Sequence, residues 1–445
     1  MGTIFQLLLA VSIAVVAYNV FKFLRQPAVK FEMEDDGWFG TGQKRSDNEA
    51  IIPFQVKVSD NMLEDLKMRL ERTRILHTPL EDSDNFMYGF NANYLRSVVD
   101  YWRTKFDWRK QEKIINNFPQ FITEIEGLKI HFIDAKPPPK KYKRIVPLLI
   151  VHGWPGHVFE FYKIIPMLTD PSSILGVQSD VAFEVIAPSI PGFNQWTTAR
   201  IFRKLMLRLG HNKFLLQGGD WGSLVCTIFA HYYPQNVIGL HLNTALLTAN
   251  MKATLLSLIG SVAPSLVFSS PSAHSFSLKN LMFSFIVGSG YLHLQATEPD
   301  TVGMALNDSP AGLAAYILQK FAAWTNRQYQ PLPDGGLTQR FTMDELLTIL
   351  SIYWFNGNIV NSQRYYKEYF LSPQGHAVEF AYLKIPTAVA AFPNDIVDPL
   401  PREMVECGYN VVSFTEMPFG GHFAAFEQPK LLARDIFKFA NILNL

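Results

Sequence analysis

The chain has 445 residues, 48% of them apolar, with 40 Lys+Arg against 39 Asp+Glu; this composition excludes a disordered chain and gives room for two to three domains with large buried cores. Nucleic acid would ask for a basic stripe, and none appears beyond one short run, Lys140, Lys141, Lys143 and Arg144, which follows Pro137–Pro139 and reads as a solvated linker. Two cysteines, Cys226 and Cys407, are too few for a secreted disulfide framework and suit a reducing compartment.

In chain order, Thr3 to Leu24 (TIFQLLLAVSIAVVAYNVFKFL) has no charge before Lys22 and matches the length of about 20 residues needed to span a bilayer core. Lys22, Arg25 and Lys30 follow the apolar run, which is the pattern of an uncleaved anchor and not of a cleaved signal peptide, and places the remainder of the chain in the cytosol. Glycan on the sequon Asn307-Asp308-Ser309 would reverse that orientation. Residues 35–137 read as a helical lead-in that packs on the main domain. SDNMLEDLKMRLERTR opens with a Ser/Asp cap and repeats Leu63, Leu66 and Leu70 on one face, and NANYLRSVVDYWRTKF continues in the same manner.

From Ile145 the pattern becomes α/β. VPLLIVHG, AFEVIAP, KFLLQGG, VIGLHLN, TAVAAFP and VVSFTEM are apolar runs ending in turn-forming residues, as expected for a mostly parallel sheet covered on both faces. The first part of this core spans 145–246 and the second 372–445. Between them, 247–371 loses its strands and becomes helical, with LAAYILQKFAAWTN as the clearest piece; an insertion there forms a lid over the strand ends, where ligands of α/β sheets bind.

Three motifs fall at strand ends: VHGWPG at Val151–Gly156, GGDWGS at Gly218–Ser223, and FGGHFAAFEQP at Phe419–Pro429. Singly, each has an ordinary structural reading as a turn, a helix cap or a core histidine. Together they have the chain order of a hydrolase fold, with a nucleophile after a middle strand, an acid after a later one and a histidine near the carboxyl end. Asp220 stands at the apex of the strand-turn-helix elbow, where a serine is usual. His422 is the candidate base. Asp395 is the first carboxylate after its strand and is preferred as the orienting acid over Asp398 and Glu416. The backbone N–H groups of Trp154 and Trp221 are candidate oxyanion donors.

HGWPG, QGGDWGSL, LNDSPAGLAAYIL, SQRYYKEYF and GGHFAAFEQP resemble the microsomal-type epoxide hydrolases, a group that includes the insect juvenile hormone epoxide hydrolases, and the likeness runs over nearly the whole chain, anchor and lead-in included. The resemblance implies an α/β-hydrolase fold in which Asp220 is the nucleophile, His422 the base and Asp395 the acid, although many relatives carry glutamate there. It also implies that Tyr291 and Tyr366 donate to the epoxide oxygen. Attack on an epoxide displaces oxygen from saturated carbon, so a serine would leave an ether, whereas a carboxylate leaves an ester that water activated by His422 can cleave. No metal or cofactor is called for, since metal-ligand spacing and a phosphate loop are both missing from the sequence. The partner implied is a lipophilic small-molecule epoxide, hormone or foreign, and the location implied is the endoplasmic reticulum membrane with the catalytic domain in the cytosol. One departure stands out: after PSIPG (Pro188–Gly192) relatives continue with a glycine- and serine-containing loop, but here FNQWTTARIF follows directly. The shortening leaves open an inactive, hydrolase-derived membrane protein, and the carboxylate chemistry also suits a haloalkane dehalogenase.

Overall fold

Strand order in the central sheet explains how the distant motifs meet. A computed structural model describes residues 33–445 apart from 76, 247 and 248. The strands are β1 (Ile52–Phe54), β2 (Gln120–Ile125), β3 (Leu128–Ala135), β4 (Arg144–Val151), β5 (Val181–Pro188), β6 (Phe214–Gly218), β7 (Val237–Leu242), β8 (Leu383–Ala391) and β9 (Tyr409–Glu416). They form one sheet in the order β1-β2-β3-β5-β4-β6-β7-β8-β9. From β5 to β9 every neighbouring pair is parallel; β1, β2 and β3 extend the sheet antiparallel beyond β5. The six strands expected from the apolar runs are all present, and β6 is buried along its whole length, as a strand covered on both faces must be.

Helices α1 (Asp60–Glu71), α2 (Ala92–Thr104) and α3 (Trp108–Ile115) belong to the lead-in, and α4 (Gln195–Arg208) and α5 (Trp221–Tyr232) to the first part of the core. The intervening segment carries α6 (Met251–Val262), α7 (Leu278–Gly288), α8 (Gly290–Thr297), α9 (Pro299–Asp308), α10 (Pro310–Thr325), α11 (Met343–Asn356), α12 (Ile359–Leu371) and α13 (Pro373–Phe380) before the chain returns to the sheet at β8 and closes with α14 (Pro429–Ile442). Local chemistry sets the ends. The Ser59 side chain accepts from Met62 N at the start of α1, Asn91 from Tyr94 N at α2, and Thr342 and Glu345 form a reciprocal capping box at α11.

The lead-in departs from expectation in two respects. It is not wholly helical, because β1 and the β2–β3 hairpin supply one end of the sheet. These strands alternate apolar and polar residues, and β2 buries the polar Gln120 and Thr123, so they lack the continuous apolar run that marks a doubly covered strand. Its helices also pack mainly on the lid: Leu66, Leu70, Leu95, Val98 and Trp102 share one core with Leu313, Ile317 and Phe321 of α10 and Leu346, Ile349 and Leu350 of α11. A second core lies between the sheet and α14, where Leu432, Ile436 and Phe439 meet Leu148, Ile150 and Val185.

The hairpin is fastened from the far side of β5. Glu126 and Gly127 form its turn with φ of 54° and 79°; Asp47 accepts both of their N–H groups at 2.7 and 2.8 Å. The buried Glu126 carboxylate accepts two bonds from Arg200 of α4, at 2.8 and 2.7 Å, and lies 2.9 Å from Lys204. The predicted anchor over residues 3–24 lies outside the described residues. Among the described residues no helix is long and apolar enough to cross a membrane.

Candidate active site

The elbow is built where β6 hands over to α5. Asp220 has φ 52° and ψ −128°, a conformation that strains an L-residue and exposes its side chain at the strand end. The turn closes only because Gly222 presses on β4: a Cβ there would sit 2.0 Å from Val151 O. Asp220 Oδ1 accepts a hydrogen bond from Trp154 N at 2.7 Å, and Oδ2 lies 3.5 Å from His422 Nε2. On the other side of the imidazole, His422 Nδ1 donates to Asp395 Oδ1 at 2.5 Å. Thr244 Oγ1 and Ile396 N donate to the same carboxylate at 2.9 and 2.7 Å. Asp220, His422 and Asp395, more than two hundred positions apart at the extremes of the sequence, are therefore in one line of contacts. Asp398 and Glu416 are not part of it.

The loop bearing His422 is held from two directions. His422 N donates to Trp324 O near the carboxyl end of α10 at 2.8 Å, and Glu427 Oε1 accepts from Gly421 N and Phe423 N at 3.0 and 3.1 Å. Burial works against a charged imidazole, but the charges of Asp395 and Asp220 outweigh it and hold the His422 pKa well above its ordinary value. Burial likewise opposes ionisation of Asp395, yet His422 keeps that carboxyl below the usual carboxylate range.

Of the two expected oxyanion donors, Trp154 N already engages Asp220. Trp221 N, the first residue of α5, makes no hydrogen bond among the described residues and directly follows the nucleophile position. The tyrosines arrive from α8 and α12 and meet in one aromatic cluster. Tyr291 stacks on Trp154 with ring centroids 5.6 Å apart and 6° between planes, and Tyr366 stands edge-on to Tyr291 at 5.9 Å and to Trp221 at 4.7 Å. Tyr366 is buried, and its hydroxyl is within hydrogen-bonding geometry of no group among the described residues. Burial, reinforced by the Asp220 charge, raises the pKa of both Tyr291 and Tyr366, so both stay protonated.

One group escaped the sequence reading. Glu160 is buried beside the elbow, and together with Asp220, His422, Trp154, Gln217 and Asn243 it lines a cavity of about 20 Å³, enough for one water. Its carboxyl lies directly over Gly156, where a Cβ would fall 1.0 Å from Oε1. Burial pushes its pKa up to about 8. Nothing in HVFEFYK marks Glu160 as buried; the one signal was the glycine four residues earlier. A larger cavity of about 610 Å³ reaches Trp154 and Trp221 from the other side, lined by lead-in residues such as Val56 and Trp108 and lid residues such as Tyr353 and Tyr365.

The short connection after β5 forms part of that larger wall through Ser189, Ile190, Pro191 and Gly192. It is anchored at both ends. Ile190 N donates to His152 Nε2 at 3.2 Å, while His152 Nδ1 donates to Gly153 O at 3.0 Å, a neutral arrangement that agrees with burial lowering the His152 pKa to about 4. Asn194 then caps α4 through Thr197 N at 2.8 Å. The shortening leaves the Asp220–His422–Asp395 line intact.

Comparison with known proteins decides the family. Residues 51–161 match a family model described as epoxide hydrolase N terminus, and 146–432 match the alpha/beta hydrolase fold. Epoxide hydrolase 1 of Oryctolagus cuniculus is 50% identical over 92% of this chain and 93% of its own. The chain belongs to the epoxide hydrolases. Juvenile hormone epoxide hydrolase 1 of Ctenocephalides felis is 40% identical over 96% of this chain and 92% of its own. Among solved epoxide hydrolases, the juvenile hormone epoxide hydrolase of the silkworm Bombyx mori superposes with a TM-score of 0.87 at 37% identity, covering 93% of this chain and 99% of that one.

Proposed function

We propose that this enzyme hydrolyses lipophilic epoxides to vicinal diols through an ester on Asp220, while held at the endoplasmic reticulum membrane by residues 3–24 with its catalytic domain in the cytosol. The observation that carries the chemistry is a carboxylate at the strained elbow whose two oxygens have different surroundings: Oδ1 is held by Trp154 N, and Oδ2 lies 3.5 Å from the imidazole of His422. Oδ2 attacks an epoxide carbon, the carbon–oxygen bond opens, and Tyr291 and Tyr366 donate to the departing oxygen. The unpartnered Tyr366 hydroxyl supports that assignment, because a buried donor without an acceptor is costly unless a ligand supplies one.

Esterification removes the Asp220 charge, and that charge is one of the influences raising the His422 pKa. The imidazole therefore becomes easier to deprotonate once the ester has formed, when a base is needed. Neutral His422 takes a proton from water, the water oxygen attacks Cγ of Asp220, and Oδ1 carries the developing charge against Trp154 N, with Trp221 N as the second donor. Collapse of that intermediate breaks the bond between Cγ and the substrate oxygen, the His422 imidazolium returns its proton to that oxygen, and the diol is released with the Asp220 carboxylate restored. The cavity of about 610 Å³ is within the range of small-molecule sites, and its apolar lining favours a lipophilic substrate.

The decisive experiment separates the two steps. His422→Gln mixed with an aryl epoxide is expected to accumulate a protein adduct of the substrate's mass on Asp220, with none in Asp220→Ala. An unmodified His422→Gln protein that still forms diol would replace the ester route with direct hydration.

A further inference from the structure

The lid carries a surface that the hydrolase chemistry does not use. Between Asp220 and Glu298 the sequence contains no aspartate or glutamate, and its only lysines are Lys252 and Lys279, with no arginine. In the fold, this acid-free stretch forms α6 and α7, and both helices turn apolar side chains outward at helical spacing. On α6 and just beyond it the stripe is Leu255, Leu258, Val262 and Leu266; on α7 it is Met282, Phe283, Ile286 and Val287. Val262 is 87% exposed, Leu266 80% and Val287 69%. No residue of α7 is buried; the helix packs chiefly on α6 and α8.

Single exposed apolar residues are ordinary, but two adjoining stripes of this kind mark a contact surface. Charge distinguishes the partner. The charged residues of the stretch itself are cations only: Lys252 and Lys279 are exposed and without an ion pair among the described residues, while the nearby Glu403 and Glu416 are engaged by Ser269 and Ser272 in the connection between the helices. Apolar side chains backed by lysines are the composition of a helix lying in a membrane interface.

We propose that α6 and α7 form an interfacial membrane-binding face, with their apolar stripes in the headgroup–acyl boundary and Lys252 and Lys279 on anionic headgroups. Tyr291 begins three residues after α7 ends, so this contact sets one wall of the active site beside the lipid, the phase in which a lipophilic epoxide is concentrated. The membrane contact itself does not depend on the reaction proposed above, and turnover of a water-soluble epoxide reports that reaction separately.

The test uses the full chain reconstituted in phosphatidylcholine vesicles with and without phosphatidylserine. Val262→Cys and Ile286→Cys are labelled with a polarity-sensitive fluorophore, with Tyr88→Cys, exposed on the lead-in, as the reference. Probes at 262 and 286 are expected to shift to shorter wavelength and to be quenched by lipids spin-labelled on the acyl chain, while the probe at 88 is not. Phosphatidylserine is expected to strengthen the quenching, and Lys252→Glu with Lys279→Glu to abolish that gain, at roughly fivefold in binding per lysine. Probes that remain water-exposed in vesicles would overturn the proposal. Shielding that instead appears without lipid as protein concentration rises would overturn it in favour of a second copy of the chain, and an anionic preference unchanged by the charge reversals would overturn the assignment of the lysines.

Discussion

Asp220 and His422 were readable in the sequence because each is flanked by glycines at the end of a strand, and backbone constraint leaves a local trace. Asp395 was readable by position, as the first carboxylate past β8, although only the fold shows its 2.5 Å contact with His422. Glu160 was not, since its burial is completed by residues more than fifty positions away, Gln217, Asn243 and His422 among them. The one-water cavity that it shares with Asp220 and His422 gives it a definable part in hydrolysis: a neutral carboxyl can hold a water by hydrogen bonds, while an ionised one would face the negative charge developing on Asp220 Oδ1. With its pKa raised to about 8, Glu160 is neutral below that pH and charged above it. Single-turnover hydrolysis of the ester is therefore expected to decline above about pH 8 in the native enzyme, and Glu160→Gln, neutral throughout, is expected to lose this alkaline limb while keeping the lower plateau. Gly156→Ala, which pushes the carboxyl off the site its own Cβ would need, is expected to slow hydrolysis about 100-fold with ester formation less affected. An alkaline limb that survives in Glu160→Gln would assign it to another group.

At the scale of elements, the six strands of the parallel part of the sheet were legible from apolar runs, and the helices from caps and spacing, because in both cases a short window contains the whole signal. The β2–β3 hairpin was not legible, since its partner is β5, more than forty residues on, and its buried polar residues interrupt the pattern. What holds the hairpin is the Glu126 carboxylate with Arg200 and Lys204 of α4. Burial opposes the charge on Glu126, but the two cations prevail and lower its pKa. A carboxyl with a lowered folded-state pKa adds stability above its unfolded-state pKa and loses it as pH falls through the folded value. Arg200→Met, which leaves the buried carboxylate with only Lys204, is expected to destabilise the fold by about 3 kcal/mol at neutral pH, read as a lowered thermal midpoint. The deficit is expected to shrink as the pH is taken down and Glu126 becomes protonated. A deficit independent of pH would mean that Arg200 acts through packing alone.

For the whole molecule, the lead-in ties the sheet to the lid: its strands extend the first, its helices share a core with the second, and the His422 loop hangs from Trp324 O of the lid helix α10. Lid, His422 and sheet are in this way one mechanical assembly. Residues 34–445 make up a single compact unit, whereas the sequence expectation for 3–24 is a separate apolar segment. Removing residues 1–32 is therefore expected to leave the thermal midpoint and the turnover of a soluble epoxide unchanged. Membrane attachment should respond differently from either. If the apolar segment and the α6–α7 face both bind lipid, the shortened chain will still float with phosphatidylserine-containing vesicles at low salt and be released by high salt, because lysine–headgroup attraction is screened over about a Debye length; the full chain will resist the same wash. Retention of the shortened chain through high salt and carbonate would transfer the anchoring role from residues 3–24 to the folded unit. Its complete failure to float at low salt, with the fold intact, would leave the amino-terminal segment as the sole attachment and the lid face without a lipid partner.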